Sequence, residues 1–186
     1  MVKRAGVDPV LLSESVFRGI VDAENPPGIA AEIAIVETPL DENADCVFLE
    51  GVQDAGNVGA IIRSAAAFGI KNFVADRACA DPWSPKVLRA GMGGHFALSV
   101  LEFAGSLGGK LVCTLPSGGT PLKDADLCGR LCWLFGSEGK GLSPGLQKKA
   151  ALRVTIPMAA GTESLNVAAA AAICLHEAFS RRGRGS

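Results

Sequence analysis

The chain has 186 residues, 48% of them hydrophobic, with a formal net charge of −1 and a pI near 6.1. That length is enough for one domain with a substantial core and a short appendage. The near-neutral charge excludes a whole-surface polyanion binder and leaves only local basic patches. A membrane-spanning protein is excluded too, because the apolar run Val167 to Leu175 falls short of the roughly 20 residues a bilayer requires. The N-terminus runs through Asp8 and Pro9 without the apolar core of a signal peptide.

Residues 1–30 read as an appendage, with a helical pattern around Leu11 to Ile20 and then the breaker Asn25-Pro26-Pro27-Gly28. Ala31 to Val36 read as a short strand and Thr38 to Asp45 as a polar connection. The first buried strand is Cys46 to Glu50. It leads into a polar turn at Asp54, Gly56 and Asn57, a helix from about Val58 to Phe68 closed by Gly69, and a second strand, Asn72 to Ala75.

A short helix, Pro85 to Ala90, precedes the turn Gly91-Met92-Gly93, and Phe96 to Phe103 and Lys110 to Leu115 follow as strands. Leu131 to Phe135 form a near-continuous apolar run, the pattern of a strand covered on both faces. It breaks at Gly136 into a loop with Gly139 and Gly141, after which Ser143-Pro144 is suited to open a helix. Val154 to Ile156 repeat that logic: Pro157 stops the strand, and Ser164 or Thr162 opens an Ala-rich helix slim enough to press closely on a neighbour. Strands alternating with helices or loops predict an α/β domain over residues 31–180, with a mainly parallel sheet and helices on both faces. Residues 181–186 read as a basic tail.

The six Cys, at 46, 79, 113, 128, 132 and 174, include no C-x-x-C pair, which points to reduced thiols, a cytoplasmic protein and no structural metal. The glycine-rich loops match neither a P-loop nor a dinucleotide fingerprint: Leu134 stands where the first P-loop Gly belongs, and Gly51, Gly56 and Gly59 are wrongly spaced. No G-x-S-x-G is present, and His95 and His176 read as structural. Basic clusters lie at Lys86 with Arg89, at Lys148, Lys149 and Arg153, and at Arg181, Arg182 and Arg184; each is equally a solvated face or tail. Asn57 is taken singly as a cap, Arg63 as a surface Arg on its helix, and Glu138 as a solvated loop residue. Their joint occurrence with Ser164 and Asn166 favours a site.

The stretches QDAGNVGAIIRSAAAFG (53–69), WLFGSEGKGLS (133–143) and VTIPMAAGTESLNV (154–167) resemble, in order and spacing, the three motifs of the SpoU (TrmH-like) RNA ribose 2′-O-methyltransferases of the SPOUT superfamily. The likeness covers about residues 30–180, with Gly91 standing where relatives often have Ser. The resemblance implies a C-terminal trefoil knot, a homodimer, tRNA or rRNA as partner, and S-adenosylmethionine held mainly by main-chain groups of Leu115, Gly136, Ile156, Met158 and Leu165. It also implies a catalytic and structural polar set of Asn57, Arg63, Glu138, Ser164 and Asn166, with residues 1–30 as the trailing linker of a substrate-binding domain. A non-catalytic RNA- or nucleotide-binding module on the same fold, and a nicotinamide-dependent oxidoreductase, are the competing readings.

Overall fold

The computed structural model describes residues 8–21, 25–35, 38–103 and 107–183, in two units, residues 1–36 and 37–186. In the first unit, α1 (Glu14–Ile20) is capped by Ser13, whose hydroxyl accepts from the Val16 N–H. Residues 31–35 form neither strand nor helix, contrary to expectation, and Val36 lies outside the described residues. A strand needs a neighbour to satisfy its backbone, and Ile33 and Ile35 are 54% and 55% exposed.

The second unit contains β1 (Cys46–Glu50), β2 (Asn72–Ala75), β3 (Ser99–Glu102), β4 (Lys110–Thr114), β5 (Thr120–Pro121), β6 (Leu131–Gly136) and β7 (Leu152–Thr155). These form one seven-stranded sheet in the order β3-β2-β1-β6-β4-β7-β5, and every pairing is parallel. Around it lie α2 (Ala55–Ala67), α3 (Pro85–Gly91), α4 (Pro144–Lys149) and α5 (Val167–Gly183). Successive strand side chains point to opposite faces. Val47, Leu49, Phe73, Trp133 and Phe135 therefore pack with Ile61, Ile62, Val87 and Leu175 of α2, α3 and α5. Cys46, Phe48, Cys113, Cys132 and Leu134 face the other way, against Leu146 of α4.

All six Cys are free thiols. Cys46 stands opposite Cys132 in the β1–β6 register. A hydrogen bond with the Cys132 thiol, together with burial, pushes the Cys46 thiol far up, so both behave as small apolar core residues.

Several boundaries differ from expectation. α2 starts three residues early because Asp54 caps it, accepting from the Asn57 N–H at 2.7 Å. Asn57 therefore lies in the first helical turn rather than in the loop. The expected strand 96–103 is shortened to β3, because Met92 and Gly93 turn at positive φ and residues 94–97 coil into a 3-10 turn that buries His95. α5 opens at Val167 rather than at Thr162 or Ser164, since Asn166 supplies the cap, its Oδ1 accepting from the N–H groups of Ala168 and Ala169 at 2.9 and 3.2 Å. At the other end α5 continues to Gly183, taking in Arg181 and Arg182 of the expected tail. Arg181 donates to the carbonyls of Ala125 and Leu122, and Arg182 pairs with the buried Asp45.

α2 and α3 cross at contact distance because glycines line the crossing. A Cβ on Gly59 would lie 2.4 Å from the Ala90 Cβ and 2.7 Å from the Val87 carbonyl oxygen. One on Gly91 would lie 2.6 Å from Cε1 of His95, so the His95 ring occupies the space that a serine at this position would need.

The far edge of the sheet fixes how the chain closes. Thr114 of β4 and Thr120 of β5 both stand in register with Val154, on opposite sides of β7. Only the five residues 115–119 carry the chain from one side of β7 to the other. The Gly119 N–H donates to Oγ1 of Thr155 at 2.9 Å, and the Leu115 N–H to the Val154 carbonyl at 2.9 Å.

Candidate active site

All strands of a parallel sheet send their C-terminal ends to one edge, which is where open α/β sheets bind ligands. The loops after β4, β6 and β7 enclose a cleft of about 400 Å³ there, lined among others by Leu115, Gly136, Glu138, Lys140, Gln147, Ile156, Met158, Ser164 and Leu165. All five residues expected to hold the cofactor, and Glu138 and Ser164 of the polar set, are in this lining.

The loop after β6 is shaped by Gly136. A Cβ there would lie 2.2 Å from the carbonyl carbon of Gly141 and 2.4 Å from the Leu142 nitrogen, so only glycine lets the loop fold back onto the strand. The fold-back is closed by the Gly141 N–H donating to the Ser137 carbonyl at 2.8 Å, and by the Ser137 N–H donating to the Glu50 carbonyl at 3.0 Å. Glu138 is thereby presented at the rim. Its carboxylate accepts from Nδ2 of Asn57. The Asn57 Oδ1 in turn accepts from Nδ2 of Asn166 at 2.9 Å. The first turn of α2 and the loops after β6 and β7 are thus joined by one chain of side-chain hydrogen bonds.

Arg63 lies outside this cluster. It is exposed on α2, does not line the cleft, and is six residues on from Asn57, about 9 Å along the helix axis and on a different face. Neither His reaches the cleft. His95 is 3% exposed, its Nε2 donating to the Pro82 carbonyl at 2.8 Å. Burial lowers its pKa and keeps the ring neutral, a packing residue as expected. His176 sits on the exposed side of α5, its Nε2 3.2 Å from the Ser180 Oγ.

The supporting roles of three residues escaped the sequence reading. Asp54 aims Asn57, and its D-x-x-N spacing is a cap signal that could have found it. The Glu50 carboxylate accepts from the Ser143 N–H, and the Ser137 Oγ from the Lys140 N–H at 3.4 Å. No local pattern announces either. Among the described residues no group of His, Cys, Asp or Glu is arranged to hold a metal ion, and no helix is long and apolar enough to cross a membrane.

The motif order, the parallel sheet and the loop-built cleft coincide with a match of residues 45–176 to the SpoU rRNA Methylase family. The chain belongs to that family. It is 32% identical to the 23S rRNA (guanosine(2553)-2′-O)-methyltransferase RlmP of Bacillus subtilis over 92% of its own length and 72% of that protein's. Among solved structures it resembles the SpoU methyltransferase AviRb of Streptomyces viridochromogenes in complex with AdoMet, at a TM-score of 0.71 and 32% identity, over 78% of this chain and 63% of that one. It also resembles a TrmH-family structure from Porphyromonas gingivalis, at a TM-score of 0.76 and 31% identity, over 92% and 74% respectively. The expected SpoU membership and α/β parallel architecture are therefore borne out.

Proposed function

We propose that the chain transfers a methyl group from S-adenosylmethionine to a ribose 2′-hydroxyl of tRNA or rRNA. The observation that carries this is the hydrogen-bonded chain Glu138–Asn57–Asn166 at the mouth of a cleft whose walls are Leu115, Gly136, Ile156, Met158 and Leu165. Such a cleft suits the donor. Bound there, the donor would meet main chain bared at Gly136 and the apolar walls of the cleft, and Glu138 would supply negative charge for its sulfonium. When bound, the donor supplies a methyl group on a sulfonium that leaves as a neutral thioether.

The protein's residues then orient and exclude. Glu138, fixed by Asn57 and Asn166, holds the β6 and β7 loops together over the reacting atoms, and restriction of this kind supplies much of the rate. Arg63 takes the target phosphate or ribose by bidentate hydrogen bonds. A guanidinium stays protonated at neutral pH and is a poor proton acceptor, so the C–O bond forms as the C–S bond breaks and the hydroxyl proton then passes to solvent water rather than to Arg63. Ser164 orients Arg63 from a second copy of the chain, which accounts for the separation of Arg63 from the cleft within one copy.

That second copy packs on α2 and α5. The outer side of α2 carries Gly56, Ala60, Ser64 and Ala67, small residues that permit close helix approach. Ile173 and Phe179 of α5, 41% and 51% exposed, supply apolar area. A trefoil knot is compatible with the sheet edge, where residues 115–119 carry the chain from one side of β7 to the other close beside Thr155; in that knot the segment leading to α5 passes under this crossing. The free thiols suit a reducing cytoplasm. Calorimetric titration tests the reading: S-adenosylmethionine is expected to bind at one site per chain, and absence of binding favours a non-catalytic RNA-binding module.

A further inference from the structure

Away from the cleft, three large apolar side chains stand out on one short segment, with Phe96 79% exposed, Met92 70% and Leu88 39%. Their exposure is not the looseness of a loop tip. The segment is pinned to α2 at Gly94, where an added Cβ would lie 3.2 Å from the Arg63 Cα. It is pinned from within by His95, whose ring is buried 5.2 Å from that of Trp83. The Phe96 ring leans back over Gly93, within 3.9 Å of where its Cβ would be. Met92 is the one non-glycine residue at positive φ among those described, at 47°. Strained backbone of this kind persists only where its surroundings hold it.

The same surface is cationic. Arg63 lies one residue's contact away through Gly94 and has no hydrogen-bond or ion-pair partner among the described residues, and Lys86 is exposed on α3. Aromatic groups beside cations are the recognition chemistry of unstacked nucleic-acid bases with their phosphates, and an exposed Met beside the ring extends its apolar area. The second copy assigned to α2 and α5 meets Arg63 from the other side of this surface, whereas the Phe96–Met92 patch, flanked by Lys86, lacks the charge-depleted surroundings of an interface core.

We propose that Phe96 and Met92 form a platform on which bases of single-stranded RNA stack, with Arg63 and Lys86 meeting the adjoining phosphates. This rests on the methyltransferase reading and extends it, for it places the RNA on the α2–α3 side of the molecule and not over α4. Base stacking on an aromatic tolerates any sequence. Phe96 therefore contributes grip and register rather than base choice.

The test is fluorescence anisotropy with a short labelled single-stranded RNA of mixed sequence, alongside titration with S-adenosylmethionine and sedimentation. Phe96→Ala is expected to weaken RNA binding by about 5- to 150-fold, Phe96→Trp to keep it, and both to bind the methyl donor as the wild type does. Wild-type affinity for RNA in Phe96→Ala overturns the platform. A change of oligomeric state in Phe96→Ala overturns it too, by assigning the patch to a second copy. A wild-type chain that binds the donor but not the RNA overturns the functional reading together with the platform.

Discussion

The side-chain amide of Asn57 donates to the carboxylate of Glu138, 81 positions further along the chain. That contact ties the helix after the first strand to the loop after the sixth, and Asn166 extends it to the loop after the seventh. Acting on the placement of the reacting groups rather than on folding, where an exposed contact counts for little, a charge-assisted bond of this kind is worth about 1.5–3 kcal/mol of barrier. Glu138→Gln should therefore lower single-turnover methyl transfer by about 10- to 150-fold. Because Glu138 is exposed, the thermal midpoint should hardly move. A large fall in Tm would identify the contact as structural instead.

Gly136→Ala places a methyl group 2.2 Å from the Gly141 carbonyl carbon. The loop must open to admit it, and overpacking of this sort destabilises by about 1–3 kcal/mol. The expected result is loss of donor binding by calorimetry, with a modest drop in the urea midpoint. Retained donor affinity would show that the fold-back over Gly136 does not shape the cleft.

Much of this architecture is legible in the residues themselves. The runs Cys46–Glu50, Asn72–Ala75 and Leu131–Gly136 read as strands because apolar residues dominate both faces of each, Glu50 and Asn72 standing at the ends, and Ser143-Pro144 opens α4 where a cap and a first-turn proline should. β5 was not legible, since a two-residue edge strand of Thr120 and Pro121 carries no periodicity. Nor was the tethering of Arg181 and Arg182: their partners Leu122, Ala125 and Asp45 come from distant parts of the chain. The ten expected site residues rest on motif alone, and only the fold puts Asn57, Glu138 and Asn166 in contact and leaves Arg63 on the outer side of α2.

His95 gives the fold a pH dependence. Its folded pKa is lowered from 6.5 by burial, so below about that pH the unfolded chain binds more protons than the folded one. Stability from this group is intact above pH 6.5 and falls as the pH drops toward the lower folded value, by at most about 1.4 kcal/mol per pH unit. Urea unfolding of the wild type and His95→Gln on either side of pH 6.5 should show the acid slope in the wild type only.

Arg181 fastens the last helix through two carbonyls at 2.7 and 2.8 Å. Arg181→Ala should destabilise by about 1.5–3 kcal/mol and chiefly speed unfolding, as contacts made late in folding do. Stopped-flow chevrons check it; a slowed folding limb with unchanged unfolding would place that contact early.

Arg63→Lys separates holding from proton removal. The orienting role predicts weaker RNA binding with near-wild-type single-turnover rates at saturating RNA, because lysine keeps the charge and loses the bidentate fork. Lost chemistry with intact RNA affinity would assign Arg63 as the base.

The claim that the cleft passes a methyl group to a ribose is tested most directly by incubating the protein and isotopically labelled S-adenosylmethionine with total RNA from cells lacking the gene. The digested nucleosides are then resolved by mass spectrometry. The account predicts label in a single 2′-O-methylnucleoside; label on a base, or none in RNA while the donor binds, would contradict it.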